Sequence, residues 1–164
     1  MQTFETIDKR RSIRVYQDRP IEKEKMDKLI EAARLAPTAG NRQKFKLVVV
    51  DFKEKDLKKT LAIACNDQQF VGTASHIVAG VSEPDYKWYQ VDTAIVLQHI
   101  VLEAVELGLG TCWIGAFKED DVKKILKVPD DKKVVALLVI GYPAESPPSK
   151  PRKDVSELIS YNQY

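Results

Sequence analysis

Residues 89–107 limit the fold more than any other stretch of this sequence. They include Val91, Ala94, Ile95, Leu97, Ile100, Val101, Leu102 and Val105 and hold no proline or glycine, so they read as one long helix. The apolar side chains fall almost all the way round it, where a surface helix would carry them in one stripe. A helix of that kind is central and must be covered on most sides, by the rest of the chain or by a second chain. Gly108-Leu109-Gly110 stops it. With 164 residues, the chain has the material of one ordinary domain to do the covering. No repeat, low-complexity tract or Gly/Ser linker divides it, so residues 1–164 are expected to fold as a single domain.

The flanking segments supply strands and smaller helices. Phe45–Val50 and residues 76–81, 111–117 and 134–140 are short, mainly apolar runs and read as strands. Residues 22–35 place Met26, Leu29, Ile30 and Ala33 at helical spacing, with Pro20 at the entry and Pro37, Gly40 and Asn41 forcing a loop at the exit. Thr3–Lys9 and residues 54–64 read as helices too. Glu119-Asp120-Asp121 puts three acids at the positive end of another helix, running to Lys127. Helices and strands alternate only in part. The expected architecture is therefore α+β, a mixed central sheet flanked by helices, rather than a doubly wound fold. After Gly141-Tyr142-Pro143, Pro147, Pro148 and Pro151 keep the chain extended toward a last segment at residues 155–161. With so little core of its own to join, this C-terminal arm is expected to lie across a partner subunit.

Composition removes several function classes. Lys and Arg number 26 against 24 Asp and Glu, a formal charge of +2, which is too small for a dedicated nucleic-acid binder. Two separated cysteines, Cys65 and Cys112, form no CxxC pair, and two histidines, His76 and His99, are too few for a multi-histidine metal site. No apolar run approaches the roughly 18 residues of a membrane span, and the charges at residues 8–11 come too early for a secretory leader. The expectation is a reduced, cytoplasmic protein without nucleic-acid, metal or membrane partners.

Three segments exceed what a scaffold needs. Lys9-Arg10-Arg11-Ser12-Ile13-Arg14 packs four cations round one hydroxyl, which is either a solvated basic face or a pocket for a dianion such as phosphate. Pro37-Thr38-Ala39-Gly40-Asn41-Arg42-Gln43 turns after a helix and offers three neutral hydrogen-bonding side chains, Thr38, Asn41 and Gln43. These suit a polyol or the edge of a heterocycle. Residues 108–117 carry three glycines around Trp113 and Ile114. They run helix to strand, whereas a dinucleotide fingerprint needs a helix N-terminus at the phosphate, so that reading is rejected. What remains is either Trp113 as plain core or a small-residue strand against which a flat ring can lie, with Gly115 marking the close approach. Cys112 reads as a small hydrophobe rather than a nucleophile, since no histidine is near it in sequence. No Ser-His-Asp set, carboxylate pair or Walker loop stands out, which leaves the hard chemistry to a cofactor.

Taken in order, Arg10-Arg11-Ser12-Ile13-Arg14, the loop at residues 36–43, residues 108–117, and Gly141-Tyr142-Pro143 with Lys150-Pro151-Arg152 resemble landmarks of the FMN-dependent nitroreductase family, and the match spans essentially the whole chain. The resemblance implies FMN at the interface of an obligate homodimer, reduced by NADH or NADPH in a ping-pong cycle. A small organic acceptor, such as a nitroaromatic or quinone, would be the substrate. Arg10, Ser12, Lys150 and Arg152 would hold the FMN phosphate with Arg11 assisting, and Arg14 would approach the pyrimidine edge of the ring. A cation there stabilises the charge that gathers near N1 on reduction. Pro37, Thr38, Asn41 and Gln43 would come from the other protomer to the ribityl chain and ring edge. Trp113, Ile114 and Gly115 would lie along the ring, with a backbone N–H at Gly115 or Ala116 facing N5, and no side chain need act as a catalytic acid. The resemblance is also compatible with a flavin enzyme of other chemistry, such as reductive dehalogenation or flavin fragmentation, or with a non-catalytic flavin holder. There are departures. Lys44 stands where many members have proline, Phe45 where they often have tryptophan, and residues 65–70 match only loosely, with Asn66 at an expected flavin contact.

Overall fold

The computed structural model describes residues 2–164. Helix α1 (Thr3–Lys9) leads through an extended segment to α2 (Lys23–Arg34), and a 3-10 turn (Ala39–Asn41) precedes β1 (Phe45–Val50). Then follow α3 (Lys55–Ala64), α4 (Gln69–Thr73), β2 (His76–Ser82), α5 (Tyr89–Glu106), β3 (Gly110–Ile114), α6 (Glu119–Leu126), β4 (Lys133–Gly141) and the four-residue α7 (Val155–Leu158).

The long apolar segment is α5. Its end is sealed by Gly108 in the left-handed region, φ 73°. There Gly108 N–H bonds the Val105 carbonyl at 3.1 Å and Leu109 N–H bonds the Ala104 carbonyl at 2.7 Å. That pair of bonds satisfies carbonyls the helix would otherwise leave open.

The four strands lie in the order β1-β2-β4-β3, and every neighbouring pair is antiparallel. The mixed sheet read from the sequence is corrected here. The α5 crossover returns the chain in its original direction, as a parallel sheet requires, but β4 inserts between β2 and β3 and separates the two strands that run alike. The parallel pairing seen outside the named strands is an isolated bridge between Ser12 and Thr111. Strand β3 also stops at Ile114 rather than continuing to Phe117, because the chain turns away and Lys118 N–H bonds the Ala64 carbonyl at 2.8 Å.

Both faces of the sheet are covered. One carries Ile77, Ala79, Leu137, Val139, Cys112 and Ile114 against α3, α4 and α6; the other carries Val78, Ala136, Leu138 and Ile140 against α2 and α5. Helix α5 buries Val96, Leu97, Ile100, Val101 and Ala104, yet Val91 is half exposed, as are Trp88 before it and Ile7 on α1, and Phe4 on α1 is mostly exposed. Within one chain the helix keeps apolar surface it has nothing to cover with. The arm is likewise uncovered: residues 151–164 are all exposed, including Val155, Leu158, Ile159, Tyr161 and Tyr164. Among the described residues, no helix is long and apolar enough to cross a membrane.

Candidate functional site

The N-terminal cations are carried to the sheet by residues 12–17. Ile13 N–H bonds the Thr111 carbonyl, Gln17 N–H the Tyr142 carbonyl, and Ala144 N–H the Val15 carbonyl, each at 2.9 Å. The Glu145 carboxylate accepts the Arg14 and Val15 N–H groups at 2.5 and 3.1 Å. Ile13 and Tyr16 anchor the segment in the core. The approach to β3 is close because residue 110 is glycine; a Cβ there would stand 2.6 Å from Ile13 Cγ1. This zipper makes the Arg10–Arg14 region and the start of the C-terminal arm leave the sheet side by side.

Between them lies a cleft of about 240 Å³, lined by Arg10, Arg11, Ser12, Arg14, Lys150 and Arg152 together with Pro147, Pro148 and Ser149. Residues far apart in sequence thus meet. Among the described residues, no carboxylate forms an ion pair with Arg10, Arg14, Lys150 or Arg152. The Glu145 carboxylate at the base is engaged by the Arg14 and Val15 backbone, so the gathered side-chain cations still repel and the arrangement is stabilised by an anion that enters it. Arg11 differs from its neighbours. Its guanidinium donates to the Asp8 and Arg10 carbonyls at 2.5 and 2.9 Å, closing the end of α1. Cys112 lies beneath this cluster. Burial pushes its thiol pKa up, with Glu145 adding to the rise, while Arg14, the Ser12 hydroxyl and Arg10 pull in the opposite direction. A buried thiol with a raised pKa packs as a hydrophobe and is not a nucleophile at neutral pH.

Past Ile114 the chain opens to solvent. An added Cβ at Gly115 would meet nothing within 4 Å, and Trp113 is 37% exposed, so Trp113 is not plain core. The Ile114 side chain is buried in the core, which leaves only its backbone on this side. A turn at residues 65–68 braces the segment: Gln68 Nε2 donates to the Cys65 and Ala116 carbonyls at 2.8 and 3.2 Å. Arg14 is linked to the same region, its guanidinium 5.8 Å over the Phe70 ring. This combination fits a phosphate-bearing flavin: cations for the phosphate, and bare backbone at Gly115 that a flat ring can approach.

The other polar segment, residues 37–43, is an internally locked loop. Asn41 N–H bonds the Thr38 carbonyl at 2.8 Å, Gln43 N–H bonds Thr38 Oγ1 at 3.1 Å, and Gln43 Nε2 bonds Asn41 Oδ1 at 3.1 Å. Two residues the sequence reading passed over hold it in place. The buried carboxylate of Asp92 accepts the Ala39 N–H, and the Tyr86 hydroxyl bonds both Asp92 and the Ala39 carbonyl. No residue of this loop lines the cation cleft. The loop leads into β1, one edge of the sheet, while Ser12 bridges to β3, the other edge. Three strand spacings, about 14 Å, separate the two edges.

A sequence model described as the Nitroreductase family matches residues 7–83 and 62–142. The chain belongs to that family. Its fold agrees with solved nitroreductases: a nitroreductase family protein from Clostridium novyi NT is 36% identical, covers 96% of this chain and 91% of its own, and superposes with a TM-score of 0.84. The NADPH:FMN oxidoreductase of Vibrio harveyi, solved with NAD+, is 26% identical, with coverage of 99% and 77% and a TM-score of 0.91. Among curated relatives, an FMN reductase (NADPH) of Bacillus subtilis is 27% identical over 187 residues, 99% of this chain and 74% of the relative.

Proposed function

We propose that this nitroreductase-family chain, as a single domain over residues 1–164, is a flavin-dependent NAD(P)H oxidoreductase that works as a homodimer with one FMN site assembled from two copies. The observation that carries the reading is the cleft where Arg10, Ser12, Arg14, Lys150 and Arg152 converge, their side-chain cations in no ion pair among the described residues.

Arg10, Ser12, Lys150 and Arg152 hold the phosphate through charge-assisted bonds; Arg11, already engaged at the end of α1, adds field rather than a bond. Arg14 supplies positive charge toward the ring, where electron density rises on reduction. Gly115 gives the ring a bare surface to lie against, flanked by the half-exposed Trp113 and the Ile114 backbone. When bound, FMN supplies the two-electron carrier that serves NADH or NADPH and then an organic acceptor, such as a nitroaromatic or quinone, in a ping-pong cycle.

The loop bearing Pro37, Thr38, Asn41 and Gln43 stands at the far edge of its own sheet from the cation cleft. It therefore serves the flavin of the partner copy. The same pairing covers the apolar surface left at α5 and α1 and gives the exposed arm something to bury against. Both cysteines are buried and unpaired, as suits a reducing, cytoplasmic setting.

Purified protein should be yellow, and NADH or NADPH should bleach the flavin absorbance under anaerobic conditions. Steady-state turnover with an added nitroaromatic or quinone separates an enzyme from a flavin holder. Protein that is colourless and cannot be loaded with FMN would sink the proposal.

A further inference from the structure

Asp92 has no role in the reading above, yet it is an expensive residue to keep where it is. It stands in the first turn of α5 and is 4% exposed. Among the described residues it pairs with no lysine or arginine. Burying a carboxylate that makes no direct ion pair is unfavourable, even with Arg42 close by over the Tyr86 ring at 5.8 Å, and a packed apolar side chain would serve stability better. The positive end of the helix dipole offsets part of that cost, and directed hydrogen bonds offset more.

Those bonds all lead to one place. Both carboxylate oxygens accept the Ala39 N–H, at 3.1 and 3.2 Å. Oδ2 also accepts the Tyr86 hydroxyl at 3.0 Å, and the same hydroxyl lies 3.0 Å from the Ala39 carbonyl. Tyr86 has one hydrogen to share between these two acceptors, so it ties Asp92 and the Ala39 peptide into one unit.

Immediately after Ala39 the backbone turns left-handed, with φ 59° at Gly40, 53° at Asn41 and 52° at Gln43. Asn41 and Gln43 carry side chains, and such conformations persist when the surroundings over-determine them. The internal bonds among Thr38, Asn41 and Gln43 fix the loop's own shape. They do not fix where it points. The far end runs into β1, where the Ser82 hydroxyl bonds the Lys44 carbonyl, and the N-terminal half is tied to α5 at Asp92.

We propose that Asp92, assisted by Tyr86, is the positioning residue that aims Thr38, Asn41 and Gln43 at the flavin. This rests on the reading of that loop as a flavin-binding element. An apolar residue at position 92 would fill the space but leave the Ala39 N–H without an acceptor and the N-terminal half of the loop without its tie to α5.

The test uses flavin-loaded protein carrying Asp92→Leu, Tyr86→Phe or Gln43→Ala. FMN release on dilution is followed by free-flavin fluorescence, and the setting of the bound ring by its visible circular dichroism. Thermal midpoint and sedimenting mass are measured on the same samples. Asp92→Leu, which removes the acceptor of the Ala39 N–H, is expected to weaken FMN binding about tenfold and Tyr86→Phe about threefold. Both should change the visible dichroism of the flavin that remains, in protein whose mass and melting stay those of a folded dimer. Loss of FMN only in proportion to loss of folded dimer would make the clamp a stability feature and overturn the inference. Weakened binding in Gln43→Ala, with wild-type retention and dichroism in the other two, would overturn it while leaving the loop reading intact. Wild-type retention in all three would remove the loop reading and this inference together.

Discussion

Ser12 and Thr111 face each other across an isolated parallel bridge, and the Ile13 N–H beside them bonds the Thr111 carbonyl at 2.9 Å. This is the joint between the N-terminal cations and β3, and it leaves no room for a side chain at Gly110. Gly110→Ala must displace Ile13 and is expected to cost about 1–3 kcal/mol, carrying Ser12 out of place. Gly115→Ala has the opposite profile. Its Cβ meets nothing within 4 Å, so stability should stay within about 0.5 kcal/mol of wild type while the methyl blocks the surface proposed for the ring. Thermal melts paired with FMN titrations of the two variants check both halves.

Arg10→Ala and Arg152→Ala remove guanidinium groups from the cleft without touching the packed core. Each is expected to weaken FMN binding by about 1.5–3 kcal/mol, roughly ten- to a hundredfold, with little change in melting. Arg11→Ala should differ in kind, lowering stability at the end of α1 and affecting FMN less. Flavin retention at wild-type affinity in both Arg10→Ala and Arg152→Ala would remove the phosphate assignment.

Truncation after Arg152 deletes a segment that has local structure but no core. Asp154 caps α7 through the Ser156 N–H at 2.9 Å, with Glu157 bonding back to the Asp154 N–H at 3.1 Å, yet every residue there is exposed. The shortened chain should keep its fold and its phosphate residues, but dissociate at higher concentration and hold FMN less well. Sedimentation velocity across a dilution series, with flavin absorbance recorded alongside, measures both effects.

Patterns that repeat over a helix or strand were legible in the sequence. Helix α5 is announced by its apolar residues, and β1 by the run Phe45–Val50, because local periodicity reports burial directly. The position of β4 between β2 and β3 was not legible, since no local signal states which strands neighbour one another. At the candidate site, the cations and the loop were visible as unusual local composition. Asp92 was not, because an acid in the first turn of a helix is the ordinary choice there, and only the fold shows it buried against Ala39. Ile114 is read from the sequence as lying along the ring; strand alternation turns its side chain into the core, so only its backbone is left for that role.

His76 gives the protein an acid-sensitive component of stability. It is buried, with Nδ1 3.0 Å from Ser75 Oγ. Burial pushes its pKa below the ordinary 6.5; Asp51 pulls it up and Lys58 pushes it further down. Between the folded-state pKa and 6.5 the unfolded chain binds more protons than the folded one, so stability falls as pH drops through that window. Melting curves taken between about pH 7 and pH 5 should show a steeper decline for wild type than for His76→Gln, which has no proton to take up there. Equal slopes would contradict the assignment.

The claim that one flavin site is built from two copies is tested most directly by heterodimers. One chain carries Arg10→Ala and Arg152→Ala; the other carries Asn41→Ala and Gln43→Ala; the two are co-expressed with different tags and the mixed species isolated. If the cation cleft and the loop serve the same flavin from opposite copies, one of the two sites collects all four lesions and the other none. The prediction is that each parental homodimer holds FMN poorly, whereas the heterodimer binds one FMN at wild-type affinity. A heterodimer that retains FMN no better than its parents would contradict the shared site.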